Sequence, residues 1–115
     1  MMEQPVSNGT QEDVERIVRR DFLPSAIDAA FDLLNSYEPP STERPARLRL
    51  AALKCANGDL AKLKHELEEA RYDYRNVLIR AEYPINAKLR MKGTQQEYDE
   101  SIRQDWKNYN DWLTR

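Results

Sequence analysis

The sequence predicts an all-α, single-domain bundle of five or six helices around one central buried helix at residues 44–57. Three observations predict it. The stretch RPARLRLAALKCANGD, Arg44 to Asp59, is apolar nearly all round. At about 100° per residue, Ala46, Leu48, Leu50, Ala51, Ala52, Leu53, Cys55 and Ala56 cover most of the helical wheel, and only Arg47 and Lys54 share a polar strip. A helix without a wet face needs neighbours on every side. Only 3 of 115 residues are Gly, and Leu, Ala, Glu, Lys, Arg and Gln abound, which favours helix. No segment alternates apolar and polar residues with β-branched side chains, so no sheet is expected. The length suits one domain, and a charged fraction of 33% suits a small helical protein with solvated faces.

Residues 1–9 hold Pro5, Ser7, Asn8 and Gly9 without periodicity and read as a disordered tail; the bundle is expected over 10–92. Thr10 with Asp13 opens a first helix at about residues 11–20, carrying Val14, Ile17 and Val18. Pro24 suits the first turn of a second helix, with Ile27, Ala30, Phe31, Leu34 and Tyr37 on one face. Pro39 and Pro40 stop it. Ser41 and Thr42 are expected to cap the central helix, with Pro45 in its first turn, and Asn57-Gly58 ends it. Asp59 caps the next helix.

Beyond Asp59, the residues Leu60, Leu63, Leu67, Ala70, Tyr74, Val77 and Ala81 step by 3 and 4 through three heptads. One long helix satisfies this spacing. So does a pair of helices broken near Arg71–Asp73 with Asp73 as the second cap, and the weak Tyr-Asp-Tyr stretch favours the break. Pro84 ends the element, and 85–93 reads as a linker. Thr94 and Glu97 form a capping box for an amphipathic C-terminal helix over 93–115, docked on the bundle or on a partner. Its face carries Tyr98, Ile102, Trp106, Tyr109 and Trp112.

Charge is uneven. Residues 1–40 carry eight acids and three bases, 41–92 carry twelve bases and seven acids, and 93–115 carry three bases and five acids. Acidic ends packed near a basic middle account for this; a basic face for an acidic partner is the sharper alternative. The N-terminus has no apolar run and no stretch approaches a membrane span, so a cytoplasmic protein is expected.

The single Cys55 falls on the apolar arc and reads as a core residue, with no base in view to activate it. His65 lies off the Leu seam and should face solvent, as should Glu66, Glu68 and Glu69; no metal or cofactor is expected. Arg49 falls inside the apolar arc and must be paired. It reads as a side chain that snorkels to water or ties to an acid such as Asp73 or Glu82, or as an anion anchor. Arg80, Lys88, Arg90 and Lys92 form the densest basic patch, a candidate anion or nucleic-acid surface together with Arg49. A helix–turn–helix reading of residues 48–67 fails, because the would-be reading helix carries Glu66, Glu68 and Glu69. No phosphate loop, Cys/His pair or nucleophile elbow occurs, and no enzyme is expected.

The segments LRLAALKCANGDLAKL, DYRNVLIRAEYP and DWKNYNDWL resemble a group of small bacterial all-helical proteins of unknown function, over Ala46 to Leu113. The shared residues are Gly58, Asp59 and Leu60; Asp73, Tyr74 and Arg75; Ala81, Glu82, Tyr83 and Pro84; and Asp105, Tyr109, Trp112 and Leu113. Asn76 stands where that pattern has an acid. The resemblance implies a bacterial cytosolic source and no chemistry. It focuses one expectation: Asp73, Arg75, Glu82 and Tyr83 converge beside Trp106, Tyr109 and Trp112 as a partner-binding surface, against the alternative of helix caps and surface ion pairs. The leading reading is a non-catalytic protein-interaction module, with a homodimer through the C-terminal helix as one form. The other is a nucleic-acid or anion-binding accessory protein using residues 80–92.

Overall fold

A computed structural model describes residues 9–41, 43–89 and 93–115. The expected tail, apart from Gly9, lies outside the described residues, as do Thr42, Arg90 and Lys92. The chain is an all-α bundle: α1 Gln11–Asp21, α2 Ile27–Ser36, α3 Pro45–Ala56, α4 Leu60–Glu82, α5 Pro84–Leu89 and α6 Gln95–Thr114. A 3₁₀ turn at Pro24–Ala26 leads into α2. Among the described residues no helix is long and apolar enough to cross a membrane.

The central helix is where its composition requires. Leu50, Ala51, Ala52, Leu53 and Ala56 of α3 have no exposed surface and Leu48 has 2%. α3 packs most heavily on α4 and next on α1. Val14, Ile17 and Val18 of α1, Leu34 and Tyr37 from the α2 region, and Leu63, Leu67, Val77 and Leu78 of α4 complete the core around it. Thr10 caps α1 as the spacing predicts: the Asp13 amide donates to Thr10 Oγ1 at 3.3 Å and the Thr10 amide donates to Asp13 Oδ2 at 2.9 Å. The cap expected of Ser41 on α3 is absent. Arg44 occupies the N-cap without a side-chain bond, and Pro45, which has no amide hydrogen to satisfy, begins the helix.

Asn57 and Gly58 turn α3 into α4 in the left-handed region, at φ of 50° and 81°. A Cβ on Gly58 would also stand 2.5 Å from the Asp21 carbonyl oxygen, so this turn is packed against the end of α1.

α4 is broken. Asp73 takes φ −154° and ψ 95° in its middle. Its Oδ1 accepts the Arg75 amide at 3.1 Å, starting the second half as a cap. Arg80 of the second half reaches Glu66 and Glu69 of the first. In a straight helix at 1.5 Å per residue Glu66 and Arg80 would lie about 21 Å apart. The chain therefore bends sharply at Asp73, and α4 is two helical halves joined at a one-residue pivot.

Two expectations need correction near Pro84. It starts α5 rather than merely ending α4, and residues 84–89 are helical rather than linker. The cause is distant in sequence. Buried Asp105 of α6 accepts the Ile85 amide at 3.0 Å and the Asn86 amide at 2.8 Å, capping α5 from another helix. Asn86 Nδ2 also donates to Ser101 Oγ at 3.0 Å. At its far end α6 has no basic residue in its last turn. α1 supplies the cations: Arg16 donates to the Leu113 carbonyl at 2.5 Å and Arg20 to the Trp112 carbonyl at 2.7 Å.

Candidate functional site

The structure separates Asp73 and Arg75 from Glu82 and Tyr83. Nine residues along α4 put Asp73 and Glu82 about 13 Å apart on the helix axis. Asp73 and Arg75 form a bidentate surface pair at the pivot, with Nε–Oδ1 at 2.9 Å and Nη2–Oδ2 at 3.2 Å. Hydrogen bonding to Arg75 holds the Asp73 carboxyl below its usual range.

Glu82 is buried at 5% exposure, and Arg47 of α3 grips both of its oxygens at 3.1 and 2.8 Å. The same guanidinium donates to Tyr83 Oη at 3.3 Å and to Glu43 at 3.1 Å. The Glu82 bonds raise the Arg47 pKa further. Burial, and then the Glu82 charge, push the Tyr83 hydroxyl up to about 12. This is a closed ionic tie between α3 and the end of α4. Arg47 lies on the polar strip of the wheel, and nothing local marks it as the partner of an acid 35 residues away.

Arg49, the residue the wheel singles out, does not reach Asp73 or Glu82. Its Nε donates to the Leu34 carbonyl at 3.3 Å and its Nη1 to Gln11 at 3.4 Å, so it ties α3 to α2 and α1. Arg80 is held by two carboxylates, Glu69 at 2.9 Å and Glu66. Glu66 is correspondingly buried, contrary to the expected solvated face. Lys88 is exposed. Arg49 and Arg80 thus bond different groups, Arg49 a carbonyl and an amide oxygen and Arg80 two carboxylates.

His65 is exposed and lies 3.7 Å from Glu69. Cys55 is half-buried, and burial pushes its thiol up to about 11, which favours the protonated form at neutral pH. Among the described residues no three His, Cys, Asp or Glu side chains are placed to hold a metal ion.

The aromatic face docks on the chain's own bundle. Tyr109 and Trp112 are buried, and Arg20 stacks over the Trp112 ring at 5.5 Å. Trp106 lies parallel to Tyr109 at 6.4 Å between centroids and remains half-exposed. Of the three, only Trp106 keeps an edge toward solvent.

Beside α6 there is an open apolar groove that the sequence did not announce. Ile85 and Leu89 of α5 form one wall; Glu97, Glu100, Ser101 and Gln104 of α6 form the other. Ile85 is 38% exposed. The Asp105 and Ser101–Asn86 bonds hold the two walls together from beneath. Comparison with family models, with curated proteins and with solved structures finds no match for this chain. The groove is a contact surface in chemical terms: an apolar wall from Ile85 and Leu89, two carboxylates on the facing wall, and no acid–base pair among its lining residues.

Proposed function

We propose that this chain is a non-catalytic protein-interaction module and that the α5–α6 groove is its docking surface. A bacterial cytoplasmic setting, implied by the motif resemblance, belongs to the same proposal. The observation that carries it is a preformed groove with an exposed Ile85 wall, braced by buried hydrogen bonds to a carboxylate and a hydroxyl. Braced walls lose little freedom on binding, which favours association over a floppy patch of the same area. Glu97 and Glu100 on the rim favour a partner segment that presents an apolar side chain flanked by basic residues. The paired charges support the reading from the other side: Arg47 with Glu82 and Arg80 with Glu66 are consumed in ties that hold the bundle.

The test is co-purification from an extract of the source cells with the intact chain and with Ile85→Asp, washed at low and at high salt. The expected result is one protein retained by the intact chain at both salts and lost from Ile85→Asp, with the two chains melting alike. Equal capture by both chains would move the docking surface elsewhere. Retention of single-stranded nucleic acid that vanishes with salt would favour the anion-binding reading instead.

A further inference from the structure

We infer that α4 is a domain-swapping hinge: the chain exchanges everything after Asp73 with a second copy of itself by straightening α4 into one continuous helix. The inference stands apart from the α5–α6 groove and rests on four observations.

The pivot is one residue. Asp73 alone in α4 leaves the helical region. A helix bent sharply over so short a connection is the arrangement that invites exchange, because straightening it requires only one residue to change conformation.

The apolar seam is continuous in register through the pivot. Leu60, Leu63, Leu67 and Ala70 precede it, Tyr74, Val77 and Ala81 come after, and the 3-4 spacing never slips. Two helices joined by a turn have no need of a common phase. A single straight helix does, and these residues would form one unbroken stripe along it.

A break in a helix interrupts its ladder of amide–carbonyl bonds, and a continuous helix makes that ladder in full. What holds the bend locally is the Asp73 carboxylate on the Arg75 amide and side chain, a pair at the protein surface. Surface pairs of this kind stabilise weakly.

Exchange also keeps the contacts that matter. Arg80 of one copy would meet Glu66 and Glu69 of the other, as it meets its own here. Likewise α6 of one copy would meet Arg16 and Arg20 of the other. Tyr72, next to the pivot, is 95% exposed in the bent form. Two straightened α4 helices cross at that point, which gives the Tyr72 rings of the two copies a shared apolar contact.

The experiment is light scattering after size exclusion on protein warmed and cooled at high concentration. The expected species are the 13.5 kDa chain and a particle of twice that mass. Asp73→Leu, which removes the cap and adds a helix former, raises the dimer fraction several-fold. Asp73→Ala, which adds no bulk, raises it less but in the same direction. Two glycines inserted between Tyr72 and Asp73 abolish the dimer while the helical signal is retained. Exchange is then read directly in a Cys55→Ala chain that carries Glu66→Cys and Arg80→Cys. A short bis-maleimide joins these positions between chains in the isolated dimer and within one chain in the monomer. A dimer that cross-links only within each chain overturns the inference. So does an Asp73→Leu or Asp73→Ala chain that remains folded and wholly monomeric.

Discussion

At the level of single residues, Arg47 carries more of the architecture than its neighbours suggest. It is a nearly buried cation on a helix rich in Leu and Ala, and its partner Glu82 is more buried still. Removing one member of such a pair leaves the other charged and desolvated. Arg47→Met should therefore destabilise the chain by about 3–5 kcal/mol, whereas Arg47→Met combined with Glu82→Leu should recover most of that loss. Urea denaturation of the two single variants and the double variant measures the difference. If the double variant is as unstable as Arg47→Met alone, the tie acts through something other than mutual neutralisation. Arg49 offers the contrast. It lies on the same helix and bonds a carbonyl and an amide oxygen rather than an acid, so its loss leaves no stranded carboxylate.

At the level of elements, α5 exists because another helix finishes it. Six residues are too few to form a stable helix in water, and Pro84 followed by a short polar-apolar mixture gives no sign of one. Asp105 reverses that by receiving two amides at the N-terminal turn. Asp105→Ala should free both amides in a buried setting, at about 1–3 kcal/mol. Amide hydrogen exchange should quicken at Ile85 and Asn86 ahead of the core amides of α3. Unchanged protection there would mean that α5 holds itself. This case also shows what the sequence made legible. Capping by a neighbour within three residues, as at Thr10 and Asp13, is visible in a linear pattern. Capping across 19 residues is not, because the motif is split between two elements whose meeting depends on the fold. The bend in α4 was legible for the same reason as the Thr10 cap: Asp73 acts on Arg75, two positions away. The back-folded Glu66–Arg80 tie was not, since a helical wheel assigns Glu66 to the wet side by assuming that α4 is alone.

At the level of the whole molecule, the bundle was readable because burial of α3 demands companions, and the 3-4 spacing of α1, α2, α4 and α6 provides them. The polar ties were not readable, because charge pairing carries no period. The C-terminal helix is part of this enclosure rather than an appendage. A chain ending at Leu89 would strip Tyr109 and Trp112 from the core and uncover the surface they seal. It should keep its far-ultraviolet helical signal, lose near-ultraviolet aromatic structure and bind a hydrophobic dye, the marks of a molten state. A truncated chain with a sharp thermal transition and no dye binding would show that α6 is dispensable.

The two arginines of α1 that grip the far end of α6 close a loop of nearly the entire described chain, with Arg16 and Leu113 97 positions apart. Contacts of such span are the slowest to find and bring the least return until everything between them is in place. During synthesis the first helix must therefore wait, its guanidinium groups in water, until the last turn of α6 has been made. The buckle is fastened last, and the order in which this protein acquires its shape is written into which two elements hold hands.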